Sequence, residues 1–257
     1  MLNESNYFSI ENNKKYMGST QFKGFMSECE SGTLAQIEGR YVRKSTPDML
    51  KGSYVHNHFS NTLDLFKAQN PEIYKADKCS LLKKFEDLGM LVQRIERDSF
   101  FMHHLSGEKE VIQTGEIEGV PFKIKIDSLH KDFVCDIKIM ADFKYMWKDG
   151  LKIHFIEFYG YNYQAAIYQE ISRQNNNGVR LSFVIAAATK EKEPNLELFE
   201  IPQQQLDFCL DVVKQNAPIY ANIKLGLIEP TRCGSCDYCK STKKLTKIID
   251  YTEVGEL

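Results

Sequence analysis

The chain has 257 residues, of which 42% are hydrophobic and 26% are charged, and its formal net charge at pH 7 is -2. This length is enough for one sizeable hydrophobic core. The longest apolar stretch, residues 183–188, is far too short to cross a bilayer, which excludes a membrane-spanning helix. The polar first residues lack the features of a secretory signal, so we expect a cytoplasmic protein.

The first hundred residues show the three- and four-residue hydrophobic spacing of amphipathic helices. Residues 19–37 are predicted as one helix, with Ser19 as its cap and Cys29 on its buried stripe. Two further helices are predicted over residues 49–67 and 80–88. Residues 1–100 therefore form a mostly helical N-terminal part.

The middle of the chain changes to the alternating pattern of half-buried strands. Residues 120–127 and 133–139 are predicted as a hairpin, and residues 153–158 and 181–188 as strands with a helix over 161–173 between them. A last helix, over residues 204–220, precedes a cysteine-rich tail. We expect an α/β (α+β) fold in a single domain, 1–257, in which a small mixed β-sheet is flanked by helices. The sheet core covers 101–200, and the C-terminal helix and metal-binding tail cover 201–257.

Two aspartates and a lysine in the predicted hairpin carry the chemistry. A chain reversal near residues 131–132 places Asp127 opposite Asp136, with Cβ atoms about 5 Å apart, where like charges repel unless a cation lies between them. Alternation puts Lys138 on the same face as Asp136. Two carboxylates and an ammonium group suit Mg²⁺ or Mn²⁺ and phosphodiester hydrolysis. An exposed hairpin with scattered charges is the alternative.

Seven cysteines are an odd number, and three of them, Cys233, Cys236 and Cys239, form a C-x-x-C-x-x-C run. This spacing argues against a disulfide framework and lets successive thiolates bind one metal centre. A redox pair or unligated thiols are the alternatives.

The residues around the hairpin resemble the PD-(D/E)XK nucleases of the RecB and lambda-exonuclease/RecE group, which include exodeoxyribonuclease VIII. The resemblance covers most of the chain and rests on these positions: Gly52, His56, Glu110, Gly119, Asp127, Asp136, Lys138, Gln164 and Tyr168. It implies a restriction-endonuclease-like core. It also implies Asp127, Asp136 and His56 as ligands of Mg²⁺ or Mn²⁺ and Lys138 as the catalytic lysine.

The resemblance extends to further site residues. It implies an acidic residue ahead of the hairpin, for which Glu110 is our choice, although Glu108, Glu116 and Glu118 are close in sequence. Gln164 and Tyr168 are four residues apart and share one helix face, where they would reach a DNA phosphate or brace Lys138.

RecB-like nucleases with an iron-sulfur cluster take one cysteine from an early helix and three from the C-terminus. The resemblance therefore implies Cys29 as the fourth ligand and a [4Fe-4S] cluster, with zinc as the other candidate. The remaining cysteines, Cys79, Cys135 and Cys209, are interpreted as packing thiols.

The function implied is a metal-dependent DNA exonuclease that trims double-stranded ends in phage-type recombination or repair. Its expected partners are DNA, a single-strand annealing protein and further copies of the chain, with no membrane. Because the net charge is slightly negative, DNA contacts must come from local basic patches, residues 40–44 or the lysines after Cys239. The alternatives are a non-catalytic DNA-binding protein with a metal-stapled nuclease fold and a RecB-like nuclease of CRISPR adaptation.

Overall fold

The protein was analysed as a computed structural model that describes residues 2–77, 80–248 and 250. In these residues the α-helices are α1 (Ile10–Lys15), α2 (Ser19–Ser27), α3 (Glu30–Ile37), α4 (Pro47–Phe59), α5 (Leu63–Gln69), α6 (Leu88–Glu96), α7 (Ser99–His104), α8 (Phe155–Phe158), α9 (Tyr161–Asn175), α10 (Gln203–Lys224) and α11 (Asp237–Ser241). The strands are β1 (Glu108–Ile117), β2 (Val120–Leu129), β3 (Phe133–Met140), β4 (Met146–Lys148), β5 (Leu151–Ile153), β6 (Ser182–Thr189) and β7 (Leu196–Glu200). Short 3-10 turns lie at Pro71–Ile73 and Lys83–Phe85.

The strands form a five-stranded mixed sheet in the order β1-β2-β3-β6-β7 and a separate two-stranded sheet, β4-β5. Strand β2 is antiparallel to β3, with Ser128 opposite Cys135 and Leu129 opposite Val134. Strand β3 is parallel to β6, and β6 is antiparallel to β7. The predicted mixed sheet flanked by helices is therefore confirmed, as is the register of the β2-β3 hairpin.

The chain divides into two compact units. The first takes its described residues from Met1–Arg43, Thr114–Lys123 and Leu210–Leu257, and the second from Lys44–Gln113 and Ile124–Cys209. In the first unit, Phe22 and Phe25 of α2 both contact the ring of Tyr220, with ring centroids 5.3 Å away in each case. Met17 forms a parallel bridge to Phe122.

In the second unit, one face of the sheet carries the core. Val55 and Phe59 of α4 belong to the same buried cluster as Cys135 and Ile137 of β3. Because strand side chains alternate, Asp136, which lies between Cys135 and Ile137, faces away from this core. Helix α4 begins where Thr46 caps it, the Thr46 hydroxyl accepting a hydrogen bond from the Met49 N–H at 3.2 Å.

Two helices predicted as continuous are each divided in two. The predicted helix over 19–37 breaks at Glu28, and Cys29 begins α3 as its N-cap, its sulfur accepting a hydrogen bond from the Gly32 N–H at 3.4 Å. The predicted helix over 49–67 ends after Phe59, and the left-handed φ of +60° at Asn61 separates α4 from α5.

Two further predicted elements are wrong. Residues 80–88 are not a helix, because Leu81 bridges to Tyr74 and a 3-10 turn follows before α6 begins at Leu88. The strand predicted over residues 153–158 is wrong beyond Ile153, the last residue of β5. His154 caps the short helix α8 there by accepting from the Ile156 N–H at 3.3 Å. The predicted helices over 161–173 and 204–220 correspond to α9 and the longer α10.

Candidate active site and cysteine cluster

Three side chains from three elements meet beside the sheet of the second unit. Nε2 of His56, from α4, lies 3.1 Å from Oδ1 of Asp127 on β2 and 3.5 Å from Oε1 of Glu110 on β1. One ligand atom from each of the three lies within 4.8 Å of the others, so together they could hold a metal ion. An imidazole nitrogen and two carboxylates are donors that divalent cations accept.

The charges in this triad are coupled. Burial of His56 favours the neutral imidazole, but the charge and hydrogen bond of Asp127 and the charge of Glu110 outweigh it and raise the pKa of His56. Burial of Asp127 favours its protonated form, but the charge and hydrogen bond of His56, with the charge of Lys138, lower its pKa. Asp127 also accepts a hydrogen bond from the Ile137 N–H at 3.1 Å.

Asp136 and Lys138 form the second half of the cluster. The Lys138 ammonium lies 2.5 Å from Oδ2 of Asp136, whose side chain is 2% exposed, and Gln164 of α9 donates to Oδ1 of Asp136 at 2.7 Å. Each carboxylate oxygen has two lone pairs, so both oxygens keep acceptor capacity. Asp136 lies outside the triad of mutually close ligand atoms formed by His56, Glu110 and Asp127.

The pKa values of the two aspartates are shifted in opposite directions. Burial raises the pKa of Asp136, Lys138 counteracts this only in part, and the negative charge of Asp127 adds to the rise. For Lys138, burial would lower the pKa, but the charges of Asp136 and Asp127 raise it above the usual value. A cation bound near the aspartates would relieve their repulsion and lower the pKa of Asp136.

Tyr168 anchors the strand next to the cluster. Its side chain is buried, and its hydroxyl donates to the backbone oxygen of Lys125 at 3.0 Å, which fixes α9 against β2. On the same helix, the ring centroid of Tyr161 lies 5.1 Å from the Lys138 nitrogen.

Two more side chains hold Glu110, and the sequence analysis did not include them. Ser60 donates to Oε1 of Glu110 at 2.7 Å, and Lys125 forms an ion pair with Oε2. Spacing contains a signal for both: Ser60, the C-cap of α4, is four residues after His56, and Lys125 is two before Asp127 on the same strand face.

Four cysteines meet in the first unit. The sulfurs of Cys29 and Cys239 are 3.5 Å apart, and those of Cys233 and Cys239 are 4.0 Å apart. The sulfur of Cys236 completes the group, and all four sulfurs lie within 4.8 Å of one another. The Cys236 N–H donates to the sulfur of Cys233 at 3.3 Å and is the main cause that lowers the pKa of Cys233 to about 6. This arrangement suits thiolate ligands, so the cluster could hold a metal ion.

The remaining cysteines differ from these four. Cys135 and Cys209 are fully buried in the second unit, and burial raises the pKa of Cys209 to about 11. Their setting agrees with packing thiols. Cys79 lies outside the described residues.

The basic residues at 40–43 are largely paired within the first unit. Arg40 forms an ion pair with Glu38 and donates to the Tyr238 hydroxyl at 2.9 Å, and Arg43 lies 3.4 Å from Glu28. These contacts reduce the charge that the patch offers to a polyanion. Among the described residues, no helix is long and apolar enough to span a membrane.

The fold and this cluster of carboxylates, lysine and histidine define a nuclease-like protein, and comparison with known proteins gives its family. Residues 18–242 match the model of the PDDEXK-like domain of unknown function (DUF3799), so the chain belongs to this family. The crystal structure of a protein named "Putative exonuclease" from Eubacterium rectale is 38% identical and superposes with a TM-score of 0.94, covering 100% of this chain and 98% of that one. No curated protein matches the chain.

Proposed function

We propose that this protein is a Mg²⁺- or Mn²⁺-dependent deoxyribonuclease that degrades DNA from its ends. The observation that carries the proposal is the buried meeting of Asp127, Asp136 and Lys138 with His56 and Glu110, since paired carboxylates beside an ammonium group suit phosphodiester hydrolysis. The name of the E. rectale protein, which has the same fold, supports the choice of an exonuclease.

The chain's own residues have distinct roles in this proposal. His56, Glu110, Asp127 and Asp136 would hold the cation, which when bound supplies Lewis acidity and a more acidic water. Lys138 remains a cation because neighbouring carboxylates raise its pKa, so it donates hydrogen bonds to water or phosphate rather than acting as a base. Gln164 positions Asp136, and Tyr168 positions β2.

The test compares linear duplex with covalently closed circular DNA in Mg²⁺ or Mn²⁺. We expect the linear duplex to disappear and the circle to survive, and Asp127→Asn and Asp136→Asn each to abolish cleavage. Asp132→Asn is the matched control, because Asp132 is exposed in the turn of the same hairpin. Cleavage that persists in both site variants would contradict the proposal, and wild-type protein that binds DNA without cleaving it would indicate the non-catalytic alternative.

We propose that the cysteine cluster holds a single tetrahedral zinc ion. Zn–S bonds of about 2.3 Å place the sulfurs of a tetrahedron about 3.8 Å apart. The separations of 3.5 Å and 4.0 Å between the sulfur of Cys239 and those of Cys29 and Cys233 are close to this value. A [4Fe-4S] cluster, which the family resemblance implies, binds each thiolate to a different iron and needs wider spacing.

Metal analysis and an absorption spectrum of anaerobically purified protein distinguish the two centres. We expect one zinc per chain, no visible absorption band, and loss of the zinc in Cys233→Ser. Cys209→Ala, which removes a buried thiol of the second unit, should keep the zinc. Stoichiometric iron and sulfide would instead establish the cluster.

The biological setting also remains a proposal. We propose that the enzyme acts in phage-type recombination or repair, beside an annealing protein and together with further copies of the chain. Light scattering with and without duplex DNA tests the oligomer. A constant monomer would contradict self-assembly and leave the nuclease proposal unchanged.

A further inference from the structure

The separate hairpin β4-β5 has a tight and well-defined turn. Asp149 and Gly150 have φ values of +51° and +76°, so both central residues are left-handed, as a two-residue type I′ turn requires. Lys148 pairs with Leu151 and Trp147 with Lys152 across the turn. The hairpin therefore presents its side chains in a fixed register.

One face of this hairpin carries an exposed row of aromatic and basic side chains. Trp147 lies opposite Lys152 and hence on the same side of the ribbon. Tyr145 and His154 lie just outside the two strands, two residues from Trp147 and Lys152 respectively. Trp147 is 71% exposed and Tyr145 is 52% exposed. The Lys152 ammonium lies 4.9 Å from the Tyr145 ring centroid, and the rings of Tyr145 and His154 are 5.4 Å apart in an edge-on contact.

The root of the hairpin is packed while its outer part is exposed. The ring of His154 contacts that of Phe155, and Phe143 stacks on Phe155 with centroids 5.6 Å apart. Trp147 and Leu151, 71% and 66% exposed, extend beyond this support. An isolated two-stranded ribbon that exposes large apolar side chains is costly to keep unless it contacts a partner.

The charge of the segment favours an anionic partner. Residues 144–154 contain three lysines and one acidic residue, Asp149, in a chain whose net charge is -2. Lys144 is paired with Asp142 at 2.8 Å, and Lys148 and Lys152 are exposed on the two strands. Aromatic faces interleaved with lysines are typical of surfaces on which successive bases of single-stranded nucleic acid stack.

The position of the hairpin in the chain connects it to the candidate active site. It begins six residues after Met140, the end of the strand that carries Asp136 and Lys138. It is followed by α8 and by α9, the helix whose Gln164 contacts Asp136. The strand before the hairpin and the helix α9 after it thus both contribute residues to the site.

We infer that the β4-β5 hairpin binds unpaired nucleotides at the end of the DNA substrate, with Trp147 and Tyr145 stacking on bases and Lys152, on the same face, contacting a phosphate. This inference deepens the proposed nuclease function and rests on it for the identity of the substrate. Trp147 and Tyr145 are about 7 Å apart along the strand, so each ring has room for its own base.

Trp147 is the only tryptophan of the chain, so its fluorescence reports directly on this surface. Titration of the wild-type protein with a single-stranded oligothymidylate, without divalent cation, should quench the fluorescence and reach saturation. Trp147→Ala should weaken binding of the same labelled oligonucleotide, followed by anisotropy, about 5- to 150-fold, the range that stacking of one base gives. In cleavage assays it should raise KM with little change in kcat.

The controls separate stacking from other roles. Trp147→Tyr should retain most of the affinity, because the aromatic face is preserved. Phe208→Ala removes a 61% exposed aromatic side chain of α10 and should leave binding unchanged. Because Trp147 is exposed, circular dichroism and the melting temperature of Trp147→Ala should match the wild type.

Three outcomes would overturn the inference. These are unchanged fluorescence and affinity, quenching by anionic phospholipid vesicles but not by the oligonucleotide, and a protein dimer without DNA that Trp147→Ala dissociates. If the wild-type enzyme cleaves DNA and Trp147→Ala cleaves it with the same KM, the inference about the hairpin is wrong and the proposed nuclease function is retained. If the oligonucleotide quenches the fluorescence of Trp147 but no DNA is cleaved, the proposed nuclease function is wrong and the inference of a binding surface is retained.

Discussion

Lys138 shows how its neighbours determine what a side chain can do. A lysine this buried would ordinarily lose its proton more easily, yet Asp136 and Asp127 raise its pKa. The ammonium is therefore available as a fixed positive charge, and the ring of Tyr161 lies beneath it. In the proposed nuclease, this charge would stabilise the negative charge that develops on phosphate.

Replacing Lys138 with glutamine should lower kcat about 100- to 1000-fold, the loss typical of removing one donor that stabilises a transition state. Binding of Mn²⁺, measured by calorimetry, should persist because the carboxylates remain. Lys131→Gln, which changes an exposed lysine in the turn of the same hairpin, should have wild-type kcat. A Lys138→Gln enzyme with normal kcat would remove the lysine from the mechanism.

Ser60 offers a test of how Glu110 is held. Because the Ser60 hydroxyl donates to Glu110 at 2.7 Å, Ser60→Ala should loosen this carboxylate and raise the Kd for Mn²⁺ about 10- to 100-fold. At saturating Mn²⁺ the activity should return. Ser53→Ala, at an exposed position of α4, is the control, and equal Mn²⁺ affinity in both variants would argue against this role.

At the scale of elements, the hairpin was predictable because its evidence is local. Alternation over β2 and β3 fixed both the strands and the faces, and the turn fixed Asp127 opposite Asp136. The helix breaks were not predictable, because the hydrophobic spacing continues across Cys29 and Asn61 while capping and a left-handed backbone interrupt the helices. The Asp149-Gly150 pair is itself a local sequence signal for the turn of the β4-β5 hairpin.

The candidate site was predictable to the same extent. Asp127, Asp136, Lys138 and Gln164 come from regular elements, and the structure brings them together. Spacing did not distinguish Glu110 from nearby glutamates, because its left-handed φ of +56° departs from the regular strand geometry on which alternation depends.

Helix α4 carries His56, and its N-terminal cap should contribute measurably to stability. Thr46→Ala removes the acceptor for the Met49 N–H and should lower the free energy of unfolding by about 1 kcal/mol in urea denaturation. Thr46→Ser keeps the hydroxyl and should remain close to the wild type. Equal losses in both variants would show that the threonine methyl group, rather than the cap, is responsible.

At the scale of the whole molecule, the buried Lys123 and the half-buried Lys224 of the first unit make stability depend on pH. Lys224 donates to the backbone oxygen of Tyr16 at 2.7 Å and to Oε1 of Gln21 at 2.9 Å. Lys123 donates to Asn13 at 2.8 Å and to the backbone oxygen of Tyr7. Burial lowers the pKa of Lys224 to about 7 and that of Lys123 to about 8.

Lysine in an unfolded chain has a pKa of about 10.4, so between pH 7 and that value the unfolded state binds more protons than the folded state. The contribution of Lys224 to the free energy of unfolding should therefore increase as pH rises from 7 to 10 and be absent below 7. Chemical denaturation across this range should show a smaller increase for Lys224→Met than for the wild type. Lys214→Met, on the same helix, serves as control, and parallel curves for the wild type and Lys224→Met would contradict the assignment.

The four-cysteine cluster has a consequence for the order of events during synthesis. Cys29 is translated roughly two hundred residues before Cys233, and ribosomes add about 5–20 residues per second, so Cys29 waits about 10–40 s for its partners. During that interval the early thiol is exposed to oxidants and to competing metals. A segment translated about two hundred residues later thus completes the four-cysteine cluster to which Cys29 contributes the first thiol.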